Sequence, residues 1–279
     1  EDELVELPLT WYSRREIWDM SPGYQETNMR FSRDVTPQCL FCHNNLTPIR
    51  DGTMAGYHAP LAEGISCNRC HGDGTAHVTM RQAGKAPKGV DQTIVNPKRL
   101  SNMEQARLCE QCHLQGVARI LHTSKRWDEY SPKDALADYL SIYIPAGADG
   151  PQFGIASQGY RLGLSKCATI GKATCTHCHS PHKPNTAADY RAACASCHAE
   201  KPCGEPGGHT GDCVSCHMRS GGTSDIPHVR FVDHYIRQRP EAPVKVEATS
   251  ADFVDALNPL ATDADAQLRI ALAHFETWK

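Results

Sequence analysis

The chain has 279 residues, with 14 Cys and 15 His against 40% apolar residues, 7% aromatic residues and a clearly negative mean hydropathy. Net charge is −3, no basic cluster is longer than a pair such as Lys125-Arg126 and no run of 18 apolar residues occurs, so a nucleic-acid footprint and a transmembrane helix are both excluded. With 21 Gly and 18 Pro in addition, side chains alone are too thin a filling for a chain of this length.

Along the chain, residues 1–38 form a first segment. Its opening run Leu4-Val5-Glu6-Leu7-Pro8-Leu9 alternates weakly and predicts a short strand leading into a loop rich in aromatics, where Trp11, Tyr12, Trp18 and Tyr24 are available to cover an apolar surface. From residue 39 to 238 one pattern recurs six times. Cys39-Leu40-Phe41-Cys42-His43 comes first, then Cys67 to Cys70-His71, Cys109 to Cys112-His113, Cys175 to Cys178-His179, Cys194 to Cys197-His198 and Cys213 to Cys216-His217. Between the third and fourth copies lies an insert, 114–174, in which Ser131-Pro132 predicts a helix start and Ala135–Tyr143 a short helix, followed by turn-rich sequence over Pro145–Pro151. Residues 239–262, opening on Arg239-Pro240-Glu241-Ala242-Pro243, read as an extended linker. Residues 263–279 read as an amphipathic helix with Leu268, Ala271, Leu272 and Phe275 on its apolar side. That face implies either a continuing chain or a helix that docks onto the preceding domain.

The repeated C-x-x-C-H is the attachment signature of c-type haem. With 15 His in 279 residues, a His after the second Cys in six cases of six has odds of about 10⁻⁷ to 10⁻⁸ by accident. Paired CxxC units in Cys₄ zinc sites, or cysteines in disulfides, have no need of that His. The chemistry needs this spacing. On a helical turn, residues i, i+3 and i+4 share one side, so two thiols reach the haem vinyl groups while the imidazole reaches the iron. The cofactor expectation is therefore six covalent haems c, held by Cys39, Cys42, Cys67, Cys70, Cys109, Cys112, Cys175, Cys178, Cys194, Cys197, Cys213 and Cys216, with His43, His71, His113, His179, His198 and His217 as proximal iron ligands. At about 46 residues per haem the cofactors must pack against one another. The expected fold is mainly α with extensive irregular loops and little β, the polypeptide wrapped around a row of porphyrins that replaces the missing core.

The second axial ligand separates a carrier from an enzyme. Nine other histidines remain, of which His177 sits inside a motif and His274 on the terminal helix, both read as solvent-facing. The distal candidates are His58, His77, His122, His182, His209, His228 and His234, seven for six positions. His77, His182 and His209 lie so close in sequence to a motif that each is expected to ligate a neighbouring haem rather than its own. Met218 follows His217 directly and cannot reach over the same iron. Cys167 and Cys203, the two cysteines outside the motifs, are expected to form a disulfide, because haem c is attached in an oxidising compartment.

Several runs carry a resemblance: Asp212-Cys213 to Met218, Gly72-Asp73-Gly74 with His77-Val78, Cys178-His179-Ser180-Pro181-His182, His228-Val229 with Asp233-His234, Leu7-Pro8-Leu9-Thr10-Trp11-Tyr12 and Met20-Ser21-Pro22-Gly23-Tyr24. Together they resemble a family of exported multihaem c-type cytochromes that continue into tetratricopeptide repeats. The resemblance implies haem attachment at all six motifs, ligand roles for His77, His182, His209 and one or both of His228 and His234, and a terminal helix that opens a first repeat. It also implies an extracytoplasmic location, periplasmic or extracellular, with redox proteins or neighbouring copies as partners. The expected function is single-electron relay through bis-His haems, with assembly into a filament of copies as an extension. The alternative is an oxidoreductase with one open iron acting on a nitrogen or sulfur oxyanion. Against that alternative, no CxxCK variant occurs and distal histidines suffice in number.

Overall fold

The structure is a computed structural model that describes residues 3–26, 30–45, 47–146, 154–199, 203, 212–223, 225–238 and 252–278. In chain order its elements are β1 (Leu9–Tyr12), β2 (Ile17–Met20), α1 (Pro37–His43), α2 (Asn68–His71), α3 (Thr75–Gln82), α4 (Asn102–His113), β3 (Ala118–Leu121), β4 (Leu140–Pro145), α5 (Gln158–Gly163) and α6 (Lys166–Thr169). There follow α7 (Cys175–Cys178), α8 (Ala187–His198), α9 (Cys213–His217), β5 (Ser220–Gly222), β6 (Arg230–Val232), β7 (Phe253–Asp255) and α10 (Ala264–Thr277). Short helices thus dominate the described residues, with three small sheets among them. The chain divides into two units, one of Glu1–Leu100, Val117–Ile144 and Val254–Lys279, the other of Ser101–Gly116 and Pro145–Phe253.

In the first unit, the strand predicted over residues 4–9 is replaced by isolated bridges from Glu3 to Gly56 and from Val5 to Asp34. Pro8 has no N–H to offer a ladder, and regular pairing begins only after it, at β1. The β1–β2 hairpin is antiparallel, with Trp11 opposite Trp18 and their ring centroids 5.5 Å apart. Both indoles stay exposed, whereas Tyr24 is fully buried and donates from its hydroxyl to the Glu6 carbonyl at 3.1 Å.

A second correction concerns residues 131–143. No helix starts at Ser131, where a turn closes from Asp134 N–H to the Ser131 carbonyl, and the expected helix shrinks to one 3₁₀ turn, Leu136–Asp138. The run Leu140-Ser141-Ile142-Tyr143-Ile144-Pro145 becomes β4, antiparallel to β3 with Leu121 opposite Leu140 and Ala118 opposite Tyr143. Its β-branched and aromatic side chains favour a pleated, packed strand over a helix. The sheet order is β3-β4-β7. Leu136, Leu140 and Ile142 are fully buried, with Tyr130, Tyr139 and Tyr143 around them.

The terminal helix forms as predicted but presents a different face. α10 packs against β3. It buries Ala266 and Ala273 while Leu268, Leu272 and Phe275 remain exposed, Phe275 at 71%. Two alanines seven residues apart let the helix axis approach the sheet closely, and Arg269 between them donates Nε to Ser141 Oγ at 3.1 Å. The helix thus docks through its small side chains, and the face of large ones named in the sequence stays uncovered.

Asp128 ties this unit together over a long sequence span. Its carboxylate accepts from Ile49 N–H at 2.9 Å and from Arg126 Nε and a terminal guanidinium nitrogen at 3.1 and 3.2 Å. Burial pushes the Asp128 carboxyl up, but those hydrogen bonds outweigh it and hold the group below its ordinary value. A depressed carboxylate stabilises the folded state fully above about pH 4 and loses that contribution as pH falls further. Unfolding monitored between pH 7 and pH 3 is expected to show a steep acid limb, and Asp128→Asn to flatten it while lowering stability at neutral pH. An unchanged acid limb in the variant would contradict this.

The second unit is built differently. α4 packs on α5 and α7, α5 on α6, α7 on α8, and α8 on α9. A capping box starts α4, with Ser101 Oγ accepting from Glu104 N–H at 3.3 Å and Glu104 Oε2 accepting from Ser101 N–H at 2.8 Å. Thr186 and Asp189 form the same arrangement at α8. Among the described residues, the buried hydrophobic side chains here are only Leu108, Leu114 and Phe231; the other sixteen belong to the first unit. A fully buried ion pair, Arg161–Asp233, takes a place where a core residue would be expected.

Candidate functional site

All six CxxCH motifs end a helix. His43, His71, His113, His198 and His217 are the last residues of α1, α2, α4, α8 and α9, and His179 caps α7. In each case the turn ends at the motif His, as in the backbone bonds from His71 N–H to the Cys67 carbonyl and from His179 N–H to the Cys175 carbonyl, both 2.9 Å. This puts two thiols and one imidazole on one side of a turn, the disposition haem c requires. The helices start where the sequence supplies a stop for their first N–H groups: Pro37 opens α1, and Asp212 Oδ1 accepts from Val214 N–H at 3.0 Å at α9.

Four of the proximal imidazoles are also oriented. His71 Nδ1 faces the Val95 carbonyl at 2.9 Å, His217 Nδ1 the Arg237 carbonyl at 2.9 Å, His113 Nδ1 the Gln158 Oε1 at 3.3 Å and His179 Nδ1 the Tyr190 hydroxyl at 3.4 Å. An occupied Nδ1 leaves Nε2 as the nitrogen for a metal, and such outer partners set tautomer and ring direction. The donor set and its orientation fit covalent haem c.

Among distal candidates, His77 shares this feature, its Nδ1 2.9 Å from Asp91 Oδ2. His234 Nδ1 lies 2.8 Å from the Val232 carbonyl, and its ring is 6.1 Å from that of His179, with planes 20° apart. Burial lowers the pKa of both His234 and His179, which favours the neutral imidazole that binds metal. His58 and His182 are exposed, and His228 holds a left-handed backbone with φ 59°. His209 lies outside the described residues. His122 stands apart: its Nε2 is 3.1 Å from Ser141 Oγ, the same oxygen that Arg269 reaches, and burial followed by Arg269 lowers its pKa. His177 is exposed and caps α7, accepting from Thr174 N–H at 2.9 Å, and His274 is exposed on α10.

The motifs also touch one another. In the first unit Arg69, between the cysteines of the second motif, donates to the Phe41 carbonyl in the first motif at 2.7 Å. Arg119 donates to Cys42 Sγ at 2.8 Å, and the two guanidiniums lie 4.4 and 5.1 Å from the Phe41 ring centroid. These two buried arginines were missed in the sequence; the one signal was Arg69 standing inside a motif. In the second unit a thiol–thiol hydrogen bond joins Cys109 of the third motif to Cys175 of the fourth and lowers the pKa of Cys175. Burial, with Cys213 of the sixth motif beside it, pushes Cys194 of the fifth up to about 11.

The disulfide expected between Cys167 and Cys203 does not form; both are free, Cys167 half-buried and Cys203 exposed. Cys167 sits on α6 near enough to Cys178 and Cys194 to influence both thiols.

Residues 26–114 match the family of cytochrome c7 and related cytochrome c. That segment spans the first three motifs, whose donor set fits covalent haem c. No curated protein matches the sequence. Among solved structures the chain is similar to that titled crystal structure of outer cell wall cytochrome OcwA, with a TM-score of 0.48 and 17% identity, over 84% of this chain and 62% of that one. The chain therefore spans less than two thirds of that protein's length. Among the described residues no helix is long and apolar enough to cross a membrane.

Proposed function

We propose that the chain is a hexahaem c-type cytochrome that relays single electrons outside the cytoplasm between redox partner proteins. The observation that carries this reading is the serial packing of motif helices α4, α7, α8 and α9, with thiols of successive motifs side by side. Bound haem supplies the one-electron couple at iron. The twelve motif cysteines anchor it, the six motif histidines ligate it from one side, and Nδ1 partners hold four of those imidazoles, His71, His113, His179 and His217, in line.

Six distal ligands complete the set in this proposal. The first unit has two motifs and, once His122 is assigned to Ser141 and Arg269, two candidates, His58 and His77. The second has four motifs and four candidates, His182, His209, His228 and His234. Because the numbers match, no iron needs a histidine from a second copy, and the filament arrangement forms no part of the proposal. A full set of bis-His irons also leaves no open coordination site for an oxyanion substrate.

Intact mass spectrometry of purified holoprotein is expected to show six haems, and its ferric spectrum six low-spin irons. A stoichiometric five-coordinate, high-spin haem in the native protein would refute the relay and favour an enzyme.

A further inference from the structure

His179 and His234 belong to the same unit but are 55 positions apart in sequence, and the fold brings their rings together. These centroids are 6.1 Å apart, in planes 20° from parallel. A metal between two imidazoles needs about 2.0–2.1 Å to each nitrogen, and with about 1.1 Å from nitrogen to ring centre on each side the centroids fall about 6.3 Å apart. Both Nδ1 atoms are already engaged, that of His179 by Tyr190 and that of His234 by the Val232 carbonyl, so Nε2 is the nitrogen each ring has to offer.

The backbone around His234 is fixed from both sides. Asp233 is fully buried and accepts from Arg161 Nε at 2.8 Å and from a terminal guanidinium nitrogen of Arg161 at 2.6 Å, while its Oδ1 also accepts Tyr235 N–H at 2.9 Å. Ser165 donates from Oγ to the His234 carbonyl at 2.9 Å and accepts Ile236 N–H at 2.8 Å. Asp233, His234 and Ile236 are thus held on α5 and the start of α6, which is more constraint than a surface loop needs and what a ligand of defined direction requires.

We infer that His179 and His234 are the two axial ligands of one iron, that of the haem attached at Cys175 and Cys178, with Arg161, Asp233 and Ser165 as positioning residues. The inference rests on the proposed reading of the fourth motif as a haem site. It goes further by pairing a particular distal histidine with a particular iron.

The test counts high-spin haems by electron paramagnetic resonance and by carbon monoxide uptake after reduction, in holoprotein whose haem content is checked by mass. His234→Ala is expected to convert one haem of six to high spin, and added imidazole to restore it. His179→Ala is expected to do the same. The double variant decides: one high-spin haem means that both residues serve one iron, whereas two mean that they serve different irons and overturn the inference. His234→Ala with every haem still low-spin overturns it as well. Should the alanine variants not accumulate, His234→Met keeps a ligand and is expected to raise the potential of a single haem; an unchanged titration there counts against the pairing. Native protein with fewer than six haems, or with a high-spin iron, would instead refute the underlying hexahaem reading.

Discussion

Replacing Cys175 and Cys178 together by alanine is expected to unfold the second unit while the first keeps its structure. The reason is the uneven distribution of the core. Three buried hydrophobic side chains among the described residues cannot offset the conformational entropy of more than a hundred residues, at about 1–2 kcal/mol each. A haem that removes about 400 Å² of apolar surface from water contributes about 10 kcal/mol at 25 cal/mol/Å², as much as the net stability of a whole domain. In hydrogen exchange read by mass spectrometry, segments 101–116 and 154–199 of the variant should lose nearly all protection, while segments 118–144 and 264–278 should retain theirs. The matching change at Cys39 and Cys42 should be milder, since Leu136, Leu140, Ile142 and the tyrosines around them persist. Undiminished protection of the second unit in the Cys175/Cys178 variant would show that side chains, not haem, hold it together.

Asp233→Ala is expected to cost about 3–5 kcal/mol of unfolding free energy, because it leaves the Arg161 guanidinium buried without its carboxylate. Denaturant titration of holoprotein measures this loss. Stability alone does not separate a structural salt bridge from a positioning one, so a second readout is needed. If Asp233 aims His234, the folded variant in the absence of denaturant should also show a partly high-spin haem or a shifted potential at one iron. A double change, Arg161→Met with Asp233→Leu, should recover much of the stability without recovering the aim of His234. Loss of stability with every haem iron unaltered would leave the pair a purely structural role.

The motifs were legible in the sequence because they are local: five residues on one helical turn carry their own chemistry, and no tertiary contact alters which atoms face the same side. The terminal helix was legible as a helix for the same reason. Its packed face was not, because the choice between the Leu268, Leu272 and Phe275 side and the Ala266 and Ala273 side depends on how closely β3 lies. At Leu140–Pro145 local preference for β structure was present in the residues but was outweighed by a helix-like start, and the partners β3 and β7 come from 19 or more residues away in sequence. The clustering of Cys167 with the motif thiols, the commitment of His122 to Ser141 and the meeting of His179 with His234 are tertiary facts with no local signal.

The side-by-side thiols of neighbouring motifs bear on how the molecule must be made. A bare chain that reached this fold in an oxidising compartment would hold Cys109 against Cys175, the latter with its thiol acidity enhanced, and Cys194 beside Cys213. The first pair is primed for cross-linking between motifs, which would remove sulfurs that the vinyl groups need, whereas the raised Cys194 thiol makes the second pair slower to react. Biogenesis therefore has to run in one order: each porphyrin joins an extended, reduced polypeptide first, and compaction follows once no thiol is left to mispair.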